Sequence, residues 1–209
     1  MTRAIGDPQN ARSRRTRDAV LAAARNILES DGFEALTMAS VAARAGISRQ
    51  AVYLHFRSRT ELVTALYRYM GTREGLDESL SPVRNAPDAV TALREWARHL
   101  AVFHPRLMAI DRAIDRVRHS DADAARYRET IDAGQLAGCR ALAQRLADEG
   151  RMADPWTVDT ATDMLWALIA TDLFERLLAR GWSTAVITQH LQAMFEGTFV
   201  RPENPVQDR

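Results

Sequence analysis

The chain has 209 residues, of which 46% are hydrophobic and 26% are charged, and this balance predicts a folded globular protein. Its apolar runs are far shorter than the roughly 20 residues that a membrane-spanning helix needs, so we expect no membrane segment. The N-terminus lacks the apolar core of a secretory signal, which favours a cytoplasmic location. The only cysteine excludes an intramolecular disulfide and a cysteine-based zinc site.

Charge is distributed unevenly along the chain. Residues 1–68 contain eleven arginines and six acidic residues, whereas the remainder contains seventeen arginines and twenty-one acidic residues. This asymmetry predicts a basic N-terminal module that binds a polyanion, joined to a larger, mildly acidic part that interacts with something else.

Helical periodicity dominates the first 70 residues. Apolar residues recur at helical spacing in residues 14–30, and Gly32 then supplies a left-handed stop. Thr37 and Ser48 are suitable N-caps for two short helices that end near residues 44 and 56. Ser58 and Glu61 form a predicted capping box for a fourth helix, to about residue 70. These signals predict four successive helices.

The remainder of the chain is also predicted to be helical. Residues 71–87 contain glycines and prolines with few large apolar residues and are predicted to form a loop. Five further helices are expected over residues 88–104, 106–119, 122–149, 156–180 and 185–199, and no strand alternation occurs.

Three residues in the second and third predicted helices have an informative spacing. A helix-turn-helix needs a small residue where the helices nearly touch, a turn residue that tolerates positive φ, and an aliphatic residue packing back. Ala42, Gly46 and Val52 meet these needs at the right offsets. The spacing by itself fits a plain helical hairpin equally well.

The surrounding residues resemble the N-terminal DNA-binding domain of the TetR family of bacterial transcriptional repressors over about 45 residues without a gap. The features that carry the resemblance are Ile27-Leu28, Gly32-Phe33, Leu36-Thr37, Val41-Ala42, Ala45-Gly46-Ile47-Ser48, Tyr53, His55-Phe56 and Arg59-x-Glu61-Leu62. Two positions depart from the common pattern, since Gln50 stands where the family often has Gly and Arg59 replaces a common Lys.

The resemblance implies which side chains meet double-stranded DNA. Positions that commonly touch phosphates in the family are occupied here by Thr37, Ser48, Tyr53, His55 and Arg59. Base edges would face Arg49, Gln50 and Ala51, which suit guanine or a phosphate, adenine, and a thymine methyl group, respectively. A basic N-terminal arm that could reach a neighbouring groove or phosphate comprises Arg12, Arg14, Arg15 and Arg17.

The last two predicted helices resemble the pair that forms a four-helix dimer interface in many family members. Residues 164–170 are apolar on nearly all sides, so they need burial against both their own body and a partner. The predicted homodimer interface comprises Leu165, Leu168, Ile187, Leu191, Met194 and Phe195, with Ala193 and Gly197 allowing close helix approach.

The family resemblance further implies a small-molecule effector pocket within the helical body. The helix over residues 88–104 has two apolar faces, one of which carries Trp96, His99 and Phe103 and suits an aromatic or amphipathic ligand. The weaker candidates for this pocket are Met108, Arg112, Cys139, Met164 and Trp166. Cys139 lies among leucines, which favours an inert buried thiol over a redox sensor.

The sequence gives little support for an enzyme or a metal-binding protein. The five histidines form no i, i+4 pair, and the chain lacks nucleotide-binding and nucleophile-elbow motifs. Asp111 and Asp115 share a helical side but are expected to be solvated. We therefore expect neither a cofactor nor a metal.

The sequence predicts an all-α protein with an N-terminal helix-turn-helix three-helix DNA-binding domain in residues 1–58. A larger helical effector-binding and dimerisation domain is expected in residues 59–209. The corresponding function is a homodimeric repressor released from a palindromic operator by a small molecule. The alternative is a helical protein–protein interaction module that does not bind DNA.

Overall fold

A computed structural model describes residues 11–202, and this part of the chain folds into eleven α-helices and one 3-10 turn. The helices are α1 (Ala11–Ser30), α2 (Met38–Ala45), α3 (Arg49–His55), α4 (Arg59–Glu74), α5 (Leu76–Arg84), α6 (Ala89–Phe103), α7 (Met108–Asp115), α8 (Ala122–Asp148), α9 (Val158–Ala167), α10 (Thr171–Ala179) and α11 (Thr184–Phe199), and the 3-10 turn is His104–Arg106. Only an isolated bridge between Met152 and Val200 has β character in this region. The all-α prediction is confirmed.

The chain divides into two compact units. Within the described residues, the first unit contains residues 11–74 and 109–130, and the second contains residues 75–108 and 131–202. The unit with the helix-turn-helix thus includes all of α4 and extends beyond the boundary at residue 58 that the sequence predicts. Helix α8 contributes its first turns to one unit and its remaining turns to the other.

The first unit is organised around the apolar face of α1. Val20, Ala24 and Ile27 are almost fully buried, as the helical spacing predicts. Leu62, Leu66 and Met70 of α4 are equally buried, as is Ile114 of α7. Each of these helices therefore contributes one apolar stripe to the core of the first unit.

The second unit is organised around α6. Ten of its fifteen residues are buried, including both apolar faces that the sequence predicts. Asp88 caps the helix by accepting a hydrogen bond from the Thr91 amide. Helix α11 packs against α6 and contributes Ile187, Leu191 and Phe195 to the core. Helix α6 is therefore the central helix of this unit.

Two predicted boundaries are wrong. The expected loop over residues 71–87 is largely helical, because α4 continues to Glu74 and α5 follows directly after Gly75, which adopts a left-handed φ of 75°. Leu80 and Val83 of α5 pack against the core, and this packing outweighs the helix-breaking tendency of Pro82.

The helix predicted over residues 156–180 is two helices. Turn-type hydrogen bonds join Ile169 to Trp166 and Ala170 to Ala167, and they separate α9 from α10. Neither glycine nor proline lies at this break.

Among the described residues, no helix combines the length and apolarity needed to cross a bilayer.

Candidate nucleic-acid interface and ligand cavity

The turn between α2 and α3 has the geometry of a helix-turn-helix. Gly46 adopts φ 67° and ψ 30°, and its amide donates to the carbonyls that end α2. A Cβ at this position would meet nothing within 4 Å, so the left-handed backbone, rather than space, requires glycine. Ala42 and Val52 are buried on the two sides of the turn.

Side-chain caps hold both helices. Thr37 Oγ1 accepts a hydrogen bond from the Ser40 amide at 3.0 Å, and the Ser40 hydroxyl accepts one from the Thr37 amide in return. Ser48 Oγ accepts from the Ala51 amide at 3.1 Å. Both predicted phosphate-contacting hydroxyls therefore also position the helices that they precede.

Helix α3 presents two adjacent strips to solvent. Arg49 and Tyr53 form one strip, in which Arg49 Nη2 lies 3.3 Å from the tyrosine hydroxyl and the guanidinium lies 5.6 Å from the ring centre. Gln50 and Leu54 form the other strip, one helical turn apart. Ala51 is half-buried beside them. The exposed face thus carries a cation, an amide, a phenol and an apolar group.

Leu54 is a candidate contact that the sequence reasoning did not single out. Its side chain is 63% exposed, more than any other large apolar side chain in the described residues. An apolar residue at i+4 from Gln50, outside the apolar stripe of the helix, is the signal that could have identified it. An exposed leucine can contact thymine methyl groups in the major groove.

The predicted N-terminal arm is helical from Ala11 onward. Arg14 and Arg15 are exposed on the first turns of α1 and form no ion pair within the described part of the chain. Arg17 instead lies 4.5 Å above the Phe56 ring and donates to the His55 carbonyl. The first turns of α1 therefore combine exposed arginines with one that packs against the end of α3.

His55 is half-buried at the end of α3. Burial lowers the pKa of its imidazole, and the neighbouring charge of Arg17 lowers it further. The imidazole is therefore mainly neutral at pH 7 and would meet DNA as a neutral hydrogen-bonding group.

Arg59 has a different environment from the one that the family resemblance implies. Its Nε donates to the Leu36 carbonyl at 2.6 Å, its Nη2 donates to the Phe33 carbonyl at 3.1 Å, and its Nη1 contacts Asp121 and Asp123. The guanidinium also lies 4.5 Å from the centre of the Phe33 ring. Each end of the guanidinium fork thus has a partner within the first unit, so we do not include Arg59 in the candidate DNA-binding surface.

The predicted effector residues are distributed over several environments. Trp96, His99 and Phe103 stack successively along α6 with ring centroids 5.1 Å apart, and all three are buried. Ser79 Oγ lies 2.8 Å from His99 Nδ1. Burial, followed by the charges of His104 and Arg98, lowers the pKa of His99 to about 3. The histidine is therefore neutral near pH 7.

The second unit contains a cavity of about 370 Å³, and of the predicted effector residues only Trp96 lines it. Met108 packs against the core and Cys139 is fully buried, whereas Met164 and Trp166 are exposed. Arg112 belongs to the first unit, where it borders a separate cavity. The structure therefore does not bring the predicted residues together in one site.

The predicted dimer interface requires a correction. Leu165, Ile187, Leu191 and Phe195 have at most 4% of their surface exposed, because their apolar stripe packs into the core of their own unit. Leu168 is also partly buried against this core, whereas Met194 remains 39% exposed. A second copy that packs against α11 would therefore contact the opposite face of this helix.

That opposite face is free of formal charge. The residues that it exposes at helical spacing are Val186, Gln189, His190, Ala193, Met194 and Gly197. Met164 and Trp166 of α9 add two exposed apolar side chains in the same unit. We call the α11 residues of this set the α11 outer face.

No group of His, Cys, Asp and Glu that could hold a metal occurs within residues 11–202.

Comparison with known proteins agrees with this geometry. A profile of the bacterial regulatory proteins of the TetR family matches residues 20–66, which contain α2, the turn and α3. The chain is 33% identical over 67 residues to a nucleoid occlusion factor, SlmA, of Photorhabdus laumondii. That match covers 32% of this chain and about a third, 34%, of the relative.

Solved structures match over most of the chain. One, described as a transcriptional regulator from Pseudomonas aeruginosa PAO1, superposes with a TM-score of 0.74 at 20% identity and covers 90% of this chain and 92% of its own. Another is NalD, described as the secondary repressor of the MexAB-OprM multidrug efflux pump in P. aeruginosa. It has a TM-score of 0.69 at 21% identity and covers 93% of this chain and all of its own. At these identities the matches establish the fold.

Proposed function

Because the chain belongs to the TetR family of bacterial regulatory proteins, we propose that it is a homodimeric repressor that binds a palindromic DNA operator and leaves it when a small molecule binds. The observation that carries the proposal is the exposed face of α3. Arg49, Gln50 and Leu54 there offer groups that can read base edges in the major groove.

The charge around α3 favours nucleic acid as the partner. Arg14, Arg15 and Arg49 are exposed, whereas Glu29 and Asp31, at the other end of α1, are paired with Arg25 and Arg44. Uncompensated arginines near an exposed helix attract phosphates and make affinity fall steeply with salt. A protein–protein interaction module, the alternative function, gives no reason for this concentration of positive charge.

Dimerisation would occur through the α11 outer face. Ala193 and Gly197 lie one helical turn apart, and a Cβ at Gly197 would meet nothing within 4 Å in its own protomer. Small residues there leave room for a second helix to approach closely. A two-fold axis would present two α3 helices about one DNA turn apart, ~34–36 Å, and would make the operator a near-palindrome.

Repression and effector release complete the proposal. NalD, whose fold this chain shares, is described as a repressor. The cavity beside Trp96 falls within the size range of small-molecule sites and would hold the effector. Release requires the effector to bind the DNA-free form more tightly, and a coupling of about 1–3 kcal/mol would weaken operator binding about 5–150-fold.

Selection of bound sequences from a random duplex pool tests the proposed function. We expect a near-palindromic motif whose half-sites lie about one helical turn apart, and an affinity that falls steeply between low and physiological salt. Failure to bind any duplex at low salt would favour the interaction-module alternative. A reporter gene placed behind the recovered motif then measures the sign of regulation.

A further inference from the structure

The cavity of the second unit lies among α5, α6 and α8. It has a volume of about 370 Å³. The residues that line it are Leu80, Val83, Arg84, Ala92, Trp96, Gly138, Ala141, Leu142 and Arg145. Seven of these nine residues are apolar or glycine, and the other two are arginines.

The cavity exists because small residues face one another. Ala92 on α6 and Gly138 and Ala141 on α8 all line the cavity, and none of them has a side chain large enough to fill it. A Cβ added at Gly138 would meet only Trp96 Cη2, at 3.9 Å, which is ordinary van der Waals contact. The six-membered ring of Trp96 therefore lies beside Gly138, where the cavity has room for additional atoms.

The two charged side chains that line the cavity are arginines, and each has an acidic partner outside the lining. Arg145 donates to Glu149 at 3.0 Å and to the Ala86 carbonyl at 2.7 Å, so its side chain is held in position. Arg84, on α5, donates to the carbonyl of Asp77 at 3.0 Å and pairs with the exposed Asp77 carboxylate at 3.3 Å. No acidic side chain lines the cavity. The lining therefore offers guanidinium groups to an anionic ligand and no carboxylate to a cationic one.

One buried polar group beside the cavity lacks a partner. The indole Nε1 of Trp96 is fully buried, and no hydrogen-bond acceptor contacts it within the described part of the chain. Buried donors are nearly always hydrogen-bonded, and an unmatched one costs free energy. Because this nitrogen has no exposed surface, a ligand in the cavity would contact the six-membered ring of Trp96 and not its N–H group.

We propose that this cavity binds an apolar carboxylate, whose hydrocarbon part contacts Trp96, Leu142 and Val83 and whose carboxylate pairs with Arg84 and Arg145. The apolar lining accounts for the hydrocarbon part, and the two arginines account for the anionic group. The inference rests on the proposed function only in making this ligand the effector, because binding itself does not require DNA.

Three ten-carbon probes that differ in charge test the ligand class. Decanoate, decanol and decylammonium are titrated into the full chain without DNA, and binding is followed by isothermal calorimetry and tryptophan fluorescence. We expect decanoate to bind at least tenfold more tightly than decanol, and decylammonium to bind most weakly. Equal affinities, or a preference for the cation, would overturn the proposed ligand class.

Arginine variants test the charge recognition. Arg84→Gln should weaken decanoate binding about tenfold and leave decanol binding unchanged, because decanol has no charge to pair. Arg145→Gln should act in the same direction, although this variant also loses the bond to the Ala86 carbonyl. Arg140→Gln, on the exposed side of α8 and outside the cavity, is the matched control and should change neither affinity. A decanoate affinity unchanged by both cavity variants would contradict the proposal.

Filling the cavity tests its location. Gly138→Leu should abolish binding of decanoate and decanol alike, while Gly138→Ala should retain most of it. Ala137→Leu, at an exposed neighbouring position, is the size-matched control. Normal decanoate binding by folded Gly138→Leu, as judged by circular dichroism, would place the ligand elsewhere.

The two proposals can fail separately. A protein that binds decanoate but selects no operator from the duplex pool would refute the proposed function alone. A protein that selects an operator but does not prefer decanoate among the three probes would refute this inference alone.

Discussion

Arg59, at the first position of α4, lies 2.9 Å from the carboxylate of Asp121, which directly precedes α8. Asp121 also accepts hydrogen bonds from the Asp123 and Ala124 amides, so the same carboxylate caps α8 and holds the guanidinium. Arg59 in turn donates to two carbonyls in the segment between α1 and α2. A single side chain therefore ties the start of the helix-turn-helix to the start of α8 within the first unit.

Replacing both carboxylates separates the two roles considered for Arg59. We expect Asp121→Asn, Asp123→Asn to lower the free energy of unfolding by about 1–3 kcal/mol, because the arginine loses charged partners and α8 loses a charged cap. Operator affinity of the folded protein should stay within about twofold of the wild type, as measured by fluorescence anisotropy. A marked gain in affinity for all duplexes would instead indicate that the released arginine binds phosphate.

Arg49→Ala should relax base preference. Loss of a bidentate contact to guanine would cost about 1–3 kcal/mol at one position of the selected motif, whereas a phosphate contact would weaken all sequences alike. Leu54→Ala should reduce discrimination at a thymine by a smaller amount. Arg140→Ala, in the second unit, serves as a charge-matched control. An Arg49→Ala protein with both the affinity and the motif of the wild type would remove Arg49 from the reading role.

Gly197→Leu should favour the monomer. A side chain at position 197 would meet no atom of its own protomer within 4 Å of its Cβ, so leucine there should leave the fold intact. The same leucine would prevent the close approach of a second α11 helix. Gly134→Leu, at an exposed position of α8, is the matched control. Sedimentation equilibrium at micromolar concentration measures the outcome. A wild-type protein that is monomeric under these conditions, with or without DNA, contradicts the proposed assembly.

Stability should fall as the pH is lowered from 7 to 5. In the unfolded chain His99 has an ordinary pKa near 6.5, whereas in the folded state burial, reinforced by His104 and Arg98, lowers the pKa to about 3. The unfolded state therefore binds more protons across this window, and stability that is fully present above pH 6.5 is lost progressively below it. The loss at pH 5 should be about 2 kcal/mol from this group. Urea denaturation at pH 7 and pH 5 measures the effect. The His99→Gln variant should lose this part of the pH dependence of the unfolding free energy, whereas a variant at the exposed His119, His119→Gln, should keep it.

The helix-turn-helix could be predicted from sequence because its determinants are local. The positive φ of Gly46 and the caps at Thr37 and Ser48 depend on residues within a few positions. Helix α5 was missed because Gly75 and Pro82 outweighed the apolar spacing of Leu76, Leu80 and Val83 in the prediction. The gap between α9 and α10 carries no glycine or proline and gave no local signal.

Other features depend on partners that are distant in the chain. The stripe of Ile187, Leu191 and Phe195 is equally compatible with an interface and a core, and only its packing against α6 assigns it to the core. The two carboxylates that contact Arg59 lie more than sixty residues away in the chain, so the family resemblance indicated phosphate where the structure shows Asp121 and Asp123. The cavity likewise arises from small residues on separate helices.

The burial of Cys139 has a practical consequence for measuring assembly. Its thiol has no exposed surface, and burial raises its pKa to about 12, so almost no reactive thiolate is present at neutral pH. A cysteine introduced at Gln189, on the α11 outer face, would therefore be labelled selectively by maleimide or nitroxide reagents without removal of the natural one. Spin labels attached there could report the distance between two copies, with and without DNA, in an otherwise unaltered protein.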